Sequence, residues 1–135
     1  MRRTDYLNTV QGWWNFTTFN GSHVNSLIEH KKLKYPNALY LVVSDDEKWC
    51  NSNLNFTTAE NMVLVRVSRP ELAFAIMRQC NHSVVTYGSF GLWAGILGGG
   101  HMTRLLPKIE NKTVIQTVMQ NTEENLPNVD FYYYP

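Results

Sequence analysis

Ser83-Val84-Val85-Thr86-Tyr87-Gly88-Ser89-Phe90-Gly91-Leu92-Trp93 is the stretch that decides the fold. It opens on a short β-branched run, Ser83 to Thr86, that reads as a strand. Tyr87-Gly88-Ser89 then turns the chain into a helix over Phe90 to Leu97, which Gly98-Gly99-Gly100 breaks. A strand running directly into a helix is half of a βαβ unit, and the same pattern recurs on both sides of it.

Upstream, Ser68-Arg69-Pro70-Glu71 has capping-box spacing with proline in the first turn, and predicts a helix start. Leu72, Ala73, Ile76, Met77 and Cys80 follow as one apolar stripe. Before that helix, Met62 to Val67 reads as a strand. Ala38 to Val43 is a nearly continuous apolar run, the pattern of a strand buried on both faces of a parallel sheet. Ser22 is a candidate N-cap for a helix carrying Val24, Leu27, Ile28 and the stem of Lys31 inward, stopped at Pro36-Asn37. Downstream, Met102 to Leu106 reads as a fourth strand, and Thr113 to Met119 reads equally as a strand or a short helix. Residues 120–135 read as an irregular tail whose aromatics pack on another element.

Strands and helices that alternate in this way imply a single α/β, Rossmann-like domain with a parallel sheet, right-handed crossovers and helices on both faces. The 135 residues, 44% hydrophobic, suffice for one domain with a real core and not for two. A net charge of +1 offers no basic field for nucleic acid, and Lys31, Lys32 and Lys34 read as a solvated last helical turn. No stretch has the apolar length of a membrane helix, and the N-terminus does not read as a signal peptide. Yet N-x-S/T sequons stand at Asn15, Asn20, Asn55, Asn81 and Asn111, where 14 Asn and 18 Ser or Thr would give about two by chance. The chain therefore reads as luminal, with Asn81 set aside as close to the core. The simplest expectation is that Met1 is not the true start or that the chain is part of a longer protein. Cys50 and Cys80 fit either a disulfide or two buried thiols, and neither has the spacing of a zinc site.

Sheets of this kind bind ligands at the carboxyl ends of their strands. Three segments fall there by sequence. Arg2-Arg3-Thr4-Asp5-Tyr6 pairs two guanidinium groups with a carboxylate, so that one arginine can hold an anion while Asp5 braces the other; exposed charge is the competing reading. Ser44-Asp45-Asp46-Glu47-Lys48-Trp49-Cys50 follows a strand, either as a ligand-facing loop or as an acidic helix start capped by Ser44 or Asp45. In Gly88-Ser89-Phe90 a permissive turn places a serine at a helix N-terminus, where the dipole favours phosphate; a plain capped helix start fits equally well. Neither a Walker loop nor the dinucleotide glycine spacing is present. An electropositive pair and a helix N-terminus on a parallel sheet point to a pyrophosphate ligand.

Taken in order, these segments resemble the galactoside α-1,2-fucosyltransferase family. Arg2-Arg3-Thr4-Asp5-Tyr6 resembles its H-x-R-R-x-D-Y motif, and Ser44-Asp45-Asp46-Glu47-Lys48-Trp49-Cys50 is similar to its S-D-x-x-W-C motif. Gln79-Cys80-Asn81-His82 through Thr86-Tyr87-Gly88-Ser89-Phe90-Gly91-Leu92-Trp93-Ala94 resembles the animal form of its last large motif. The resemblance runs from Arg2 to about Gly100. It implies inverting transfer of L-fucose from GDP-β-L-fucose to the 2-hydroxyl of a terminal galactose, without a metal or other cofactor. It also implies a Golgi enzyme with one N-terminal membrane anchor, active on the luminal side. Such an enzyme has two facing α/β domains (the GT-B arrangement); residues 1–135 correspond to the second, GDP-binding domain, and the acceptor glycan and a further N-terminal domain are the partners.

By position, Arg2 is the expected catalytic residue, on the pyrophosphate; Arg3 and Asp5 brace its loop, and Ser44, Asp45, Gly88, Ser89 and Phe90 complete the donor site. Asn15, Asn20, Asn55 and Asn111 are the glycosylation candidates. Two departures stand out. Thr4 replaces the Gly of R-R-G-D, as in the related α-1,6-fucosyltransferases. Ala73 stands where the family has an Asp expected to contact guanine, with Glu71 nearby on a different helix face. Ala73 and the short N-terminus favour the alternative: an inactive fragment or a non-catalytic relative that at most binds GDP.

Overall fold

A computed structural model describes residues 3, 4, 7, 18–56, 61–109, 117, 121 and 124–135. Four helices alternate with the first four of five strands in these residues: α1 Gly21–Lys34, β1 Tyr40–Val43, α2 Glu47–Asn53, β2 Met62–Val65, α3 Pro70–Arg78, β3 His82–Val85, α4 Ser89–Gly98, β4 His101–Pro107 and β5 Val129–Tyr134. The strands form parallel sheets, one of order β1-β2 and one of order β3-β4-β5. The result is a mixed α/β domain consistent with a Rossmann-like fold.

Helix α1 buries Val24, Leu27, Ile28 and Lys31, the spacing expected, together with Gly21. Its cap is Asn20 and not Ser22. The Asn20 Oδ1 accepts the amide of His23 at 3.1 Å, and the His23 Nδ1 accepts the amide of Asn20 at 3.3 Å. Ser22 instead donates its hydroxyl to that same Oδ1 at 2.7 Å. Asn and Ser are equivalent caps in energy, so the rank of the two residue types could not choose between them. Gly21 opens the helix, where a Cβ would meet the Asn53 carbonyl oxygen at 2.6 Å. Of the three basic residues at the helix end, Lys31 is buried rather than solvated, with its Nζ 3.8 Å from Asp130 on β5.

Strand β1 is not buried on both faces. Leu41 and its register partner Val63 on β2 are 39% and 46% exposed, whereas Val43 and Met62 are buried. Tyr40 and Val42 pack against the main core, while α3 packs on α4, and α4 on β3 and β4. Helix α3 also departs from expectation. Its N-cap is Arg69, with no side-chain capping bond, and Glu71 pairs with Arg69 at 3.5 Å instead of closing a box with Ser68. Of its apolar stripe only Ala73 is buried; Leu72 stands 49% exposed.

Residues 120–135, expected to be an irregular tail, contain a strand. From Val129 to Tyr134 the chain pairs in parallel with Met102 to Pro107. The run Val129-Asp130-Phe131-Tyr132-Tyr133-Tyr134 is dense in the residues that fit a pleated, half-buried surface, and the lack of polar alternation hid it. Amide bonds from Met102 to the Asn128 carbonyl (2.8 Å) and from Lys108 to the Tyr134 carbonyl (2.7 Å) extend the ladder at each end. Thr113 to Met119 lies outside the described residues except for Thr117, which is helical.

The core joins both sheets. Phe19, Leu27, Cys50, Tyr87, Leu105 and Tyr134 meet in one buried cluster drawn from α1, α2, β4, β5 and the turn after β3. Cys50 and Cys80 are free thiols, and burial pushes both up from the ordinary thiol range. Asn81 is exposed, contrary to expectation. Among the described residues no helix is long and apolar enough to cross a membrane.

Candidate functional site at the carboxyl ends of the strands

Strand β1 ends at Val43, and the next three residues carry the chain into α2. Asp46 is the N-cap, its Oδ1 accepting the amide of Trp49 at 3.0 Å. Ser44 tightens the same turn by accepting the Asp46 amide at 3.1 Å. The cap thus lies one residue beyond Asp45 and two beyond Ser44, the alternatives read from the sequence, which releases Asp45 for another task.

Asp45 reaches across 42 residues to the N-terminal segment. Its Oδ1 accepts the Arg3 amide at 2.7 Å. Its Oδ2 accepts the Thr4 amide at 3.2 Å and the Thr4 hydroxyl at 2.6 Å. Burial works against the charge, but the Thr4 hydroxyl and the amides of Arg3, Thr4 and Asp45 itself outweigh it and hold this carboxyl below the usual carboxylate range.

The Arg3 side chain folds back over α2. Its guanidinium sits 4.4 Å from the centroid of the Trp49 ring, and a terminal nitrogen lies 3.9 Å from the Asp46 Oδ2. Its Nε is buried with no hydrogen-bond partner among the described residues. The sequence reading gave the bracing role to Asp5. Arg2 and Asp5 lie outside the described residues, as do Asn15 and Asn111. In the described part, Asp45, Asp46 and Trp49 surround Arg3.

The second wall of the site is the turn from β3 into α4. Thr86 and Tyr87 are buried, and Gly88 has φ of 96°, a left-handed conformation that favours glycine. Ser89 is the first residue of α4 and is exposed; Gly88 and Phe90 are half-buried. Among the described residues no side chain caps this helix, and the start of a helix favours an anion. Burial is the main reason the Tyr87 phenol is pushed up to about 12, with the Arg3 charge opposing and the Asp45 charge adding.

One residue that braces this turn from β4 escaped the sequence reading. Arg104, in the middle of β4, is only 3% exposed, and a terminal nitrogen donates to the Thr86 carbonyl at 2.7 Å and the Gly88 carbonyl at 3.5 Å. It holds the turn from beneath and sets a positive charge behind the start of α4. A cation inside the apolar run Met102-Thr103-Arg104-Leu105-Leu106 was the available signal, since a buried guanidinium must find acceptors.

The glycosylation candidates within the described residues, Asn20 and Asn55, are both exposed. Asn20 uses its Oδ1 in the α1 cap, and the Asn55 amide donates to Asn25 at 3.2 Å. Ala73 is buried and Glu71 exposed, on different faces of α3 as expected.

The model of the family described as glycosyl transferase family 11 matches residues 1–127. The chain is 30% identical over 103 residues to galactoside 2-alpha-L-fucosyltransferase SEC1 of Bos taurus, covering 74% of this chain and 28% of that protein. Galactoside alpha-(1,2)-fucosyltransferase 1 of Sus scrofa gives the same identity and coverage. A longer match, 26% over 129 residues, relates 94% of this chain to 35% of galactoside 2-alpha-L-fucosyltransferase Sec1 of Mus musculus. The chain thus spans 28% of the length of the first two relatives and 35% of the third. No solved structure matches it significantly.

Proposed function

The chain belongs to glycosyl transferase family 11, and on that premise we propose that it is the donor-binding part of a fucosyltransferase. In this reading a longer enzyme moves L-fucose from GDP-β-L-fucose to the 2-hydroxyl of a terminal galactoside, with inversion. The relatives named above are galactoside fucosyltransferases, and this is the finer reading their names support. The observation that carries it is Asp45, just past the end of β1, holding the amides of Arg3 and Thr4, together with a Gly88-Ser89 turn into α4 that no side chain caps among the described residues.

Inverting transfer breaks the bond between the fucose anomeric carbon and a phosphate oxygen as the acceptor hydroxyl attacks the opposite face. Negative charge then builds on the leaving pyrophosphate, so fixed positive charge and aligned N–H groups there lower the barrier. Arg2, which precedes the Arg3-Thr4 pair in sequence, is assigned to the pyrophosphate by resemblance. The Ser89 hydroxyl and amide are assigned to the β-phosphate, and Gly88 leaves room for it. Arg104 and Arg3 supply background positive charge. The acceptor galactoside and the base that takes its proton belong to the facing side of the cleft, which a further domain supplies. In this reading the enzyme works on the luminal side of the Golgi membrane, which the sequons support.

A second reading, a relative that binds GDP without transferring fucose, is favoured by Ala73. This residue is buried at 7% exposure and presents no carboxylate to a guanine.

Calorimetric titration of the chain with GDP and UDP separates these readings from a generic nucleotide site. GDP is expected to bind at least tenfold more tightly than UDP, and Ser89→Ala to weaken GDP by roughly 1.5–3 kcal/mol, one charge-assisted hydrogen bond. Equal affinity for the two nucleotides would sink the GDP-fucose reading. Transfer of labelled fucose to a galactoside by the longer enzyme, or its absence despite GDP binding, then decides between the first reading and the second.

A further inference from the structure

We propose that Asp45 is a positioning residue that fixes the arginine-bearing segment against the donor pyrophosphate and does not itself touch the ligand. This rests on the reading of the site as a binder of a nucleoside diphosphate sugar. Both carboxylate oxygens are already occupied: Oδ1 by the Arg3 amide, Oδ2 by the Thr4 amide and hydroxyl. A carboxylate kept ionised near a pyrophosphate repels it, unless its charge is spent on organising donors. The donors among the described residues include two main-chain amides, those of Arg3 and Thr4, so what Asp45 fixes is the direction of the backbone at Arg3-Thr4.

Among the described residues, the other polar ties of Arg3 to α2 and its cap are made by its side chain. Arg3 rests on Trp49, and its nearest approach to Asp46 is 3.9 Å, longer than a hydrogen bond. The carboxylate bonds are the short ones, at 2.6 and 2.7 Å. Thr4 acquires a role by the same geometry. Its hydroxyl gives Asp45 a bond that the glycine of R-R-G-D could not give, so Thr4 and Asp45 act as one unit.

The test is calorimetry of the 135-residue chain with GDP and with guanosine, alongside thermal unfolding. Asp45→Asn is expected to weaken GDP about tenfold while guanosine affinity stays within twofold, because only the phosphate end is misplaced. Thr4→Val is expected to weaken GDP several-fold, and Thr4→Ser to restore it. The double variant is expected to be no weaker than Asp45→Asn alone, as befits two residues acting through one contact. GDP affinity unchanged in a folded Asp45→Asn chain overturns the proposal, and so does an equal loss for GDP and guanosine, or an additive double variant. A wild-type chain that binds guanosine no more weakly than GDP overturns instead the nucleoside diphosphate reading beneath it.

Discussion

The guanidinium of Arg3 lies over the indole of Trp49, 4.4 Å from the ring centroid, so a residue at the start of the chain rests on a helix that begins more than forty positions later. Trp49 also meets Phe19 edge-on, with centroids 5.7 Å apart and planes at 81°. Trp49→Ala removes both contacts. Because the indole is half-buried, a loss of about 2–3 kcal/mol is expected, below the range for fully buried aromatics. Trp49→Phe should recover most of it. Urea denaturation of both variants checks this; equal stability for wild type and Trp49→Ala would show that the ring carries no packing.

Tyr87 predicts how the domain fails in alkali. Its phenol is pushed up to about 12, mainly by burial, so the folded state prefers the neutral form. A folded value above the unfolded value of about 10 contributes stability that is complete below pH 10 and is lost as pH rises toward 12. Burial raises Tyr134 in the same direction. Tyr87→Phe keeps the ring beside Phe19, 5.3 Å between centroids, and should narrow the alkaline loss. Melting curves between pH 8 and 11.5 test this; an identical alkaline slope in the variant would refute it.

Two adjacent glycines should respond differently to alanine. At Gly100 a Cβ would overlap the Asn81 carbonyl oxygen, where only backbone is available to move. Gly99 has open space but φ of 73° as the cap of α4. Gly100→Ala is expected to cost about 3 kcal/mol or to prevent folding, and Gly99→Ala about 1–2 kcal/mol. The reverse order would mean that the approach of Gly100 to β3 is not a tight one.

Asn20 combines a sequon with a cap, and the two can be separated. Asn20→Ala removes the acceptor for the His23 amide and should lower stability by about 1 kcal/mol, whether or not a glycan is attached. Ser22→Ala also abolishes the sequon but leaves that acceptor, so a smaller effect is expected. Material from a secretory host and a bacterial host should show the same ranking in thermal unfolding.

The legible parts of the fold were those written in contiguous residues. The strand, turn and helix from His82 to Gly98 follow from a short apolar run, a glycine with φ of 96° and an apolar helix, all within one local window. The Val24, Leu27, Ile28 and Lys31 face was legible for the same reason. What escaped was decided by partners far along the chain. The demand of Arg104 for acceptors is met by carbonyls 16 and 18 residues away, and Asp45 is claimed by amides 41 and 42 residues away. Strand β5 escaped because its character depends on β4 being free to receive it. Helix α3 had a sound local stripe, but packing buries only Ala73 of it fully and leaves Ile76, Met77 and Cys80 half-buried.

Tyr134 has a consequence for how the domain is made. Its ring is 1% exposed and stacks on His23, 4.6 Å between centroids, so an early helix and a late strand complete each other. A ribosome delivers Phe19 and α1 several seconds before it delivers β5, at roughly 5–20 residues per second. Throughout that interval the apolar face of α1 lacks its final cover. The nascent domain therefore finishes folding only once residue 134 has cleared the exit tunnel, and in the meantime it is a natural client for chaperones.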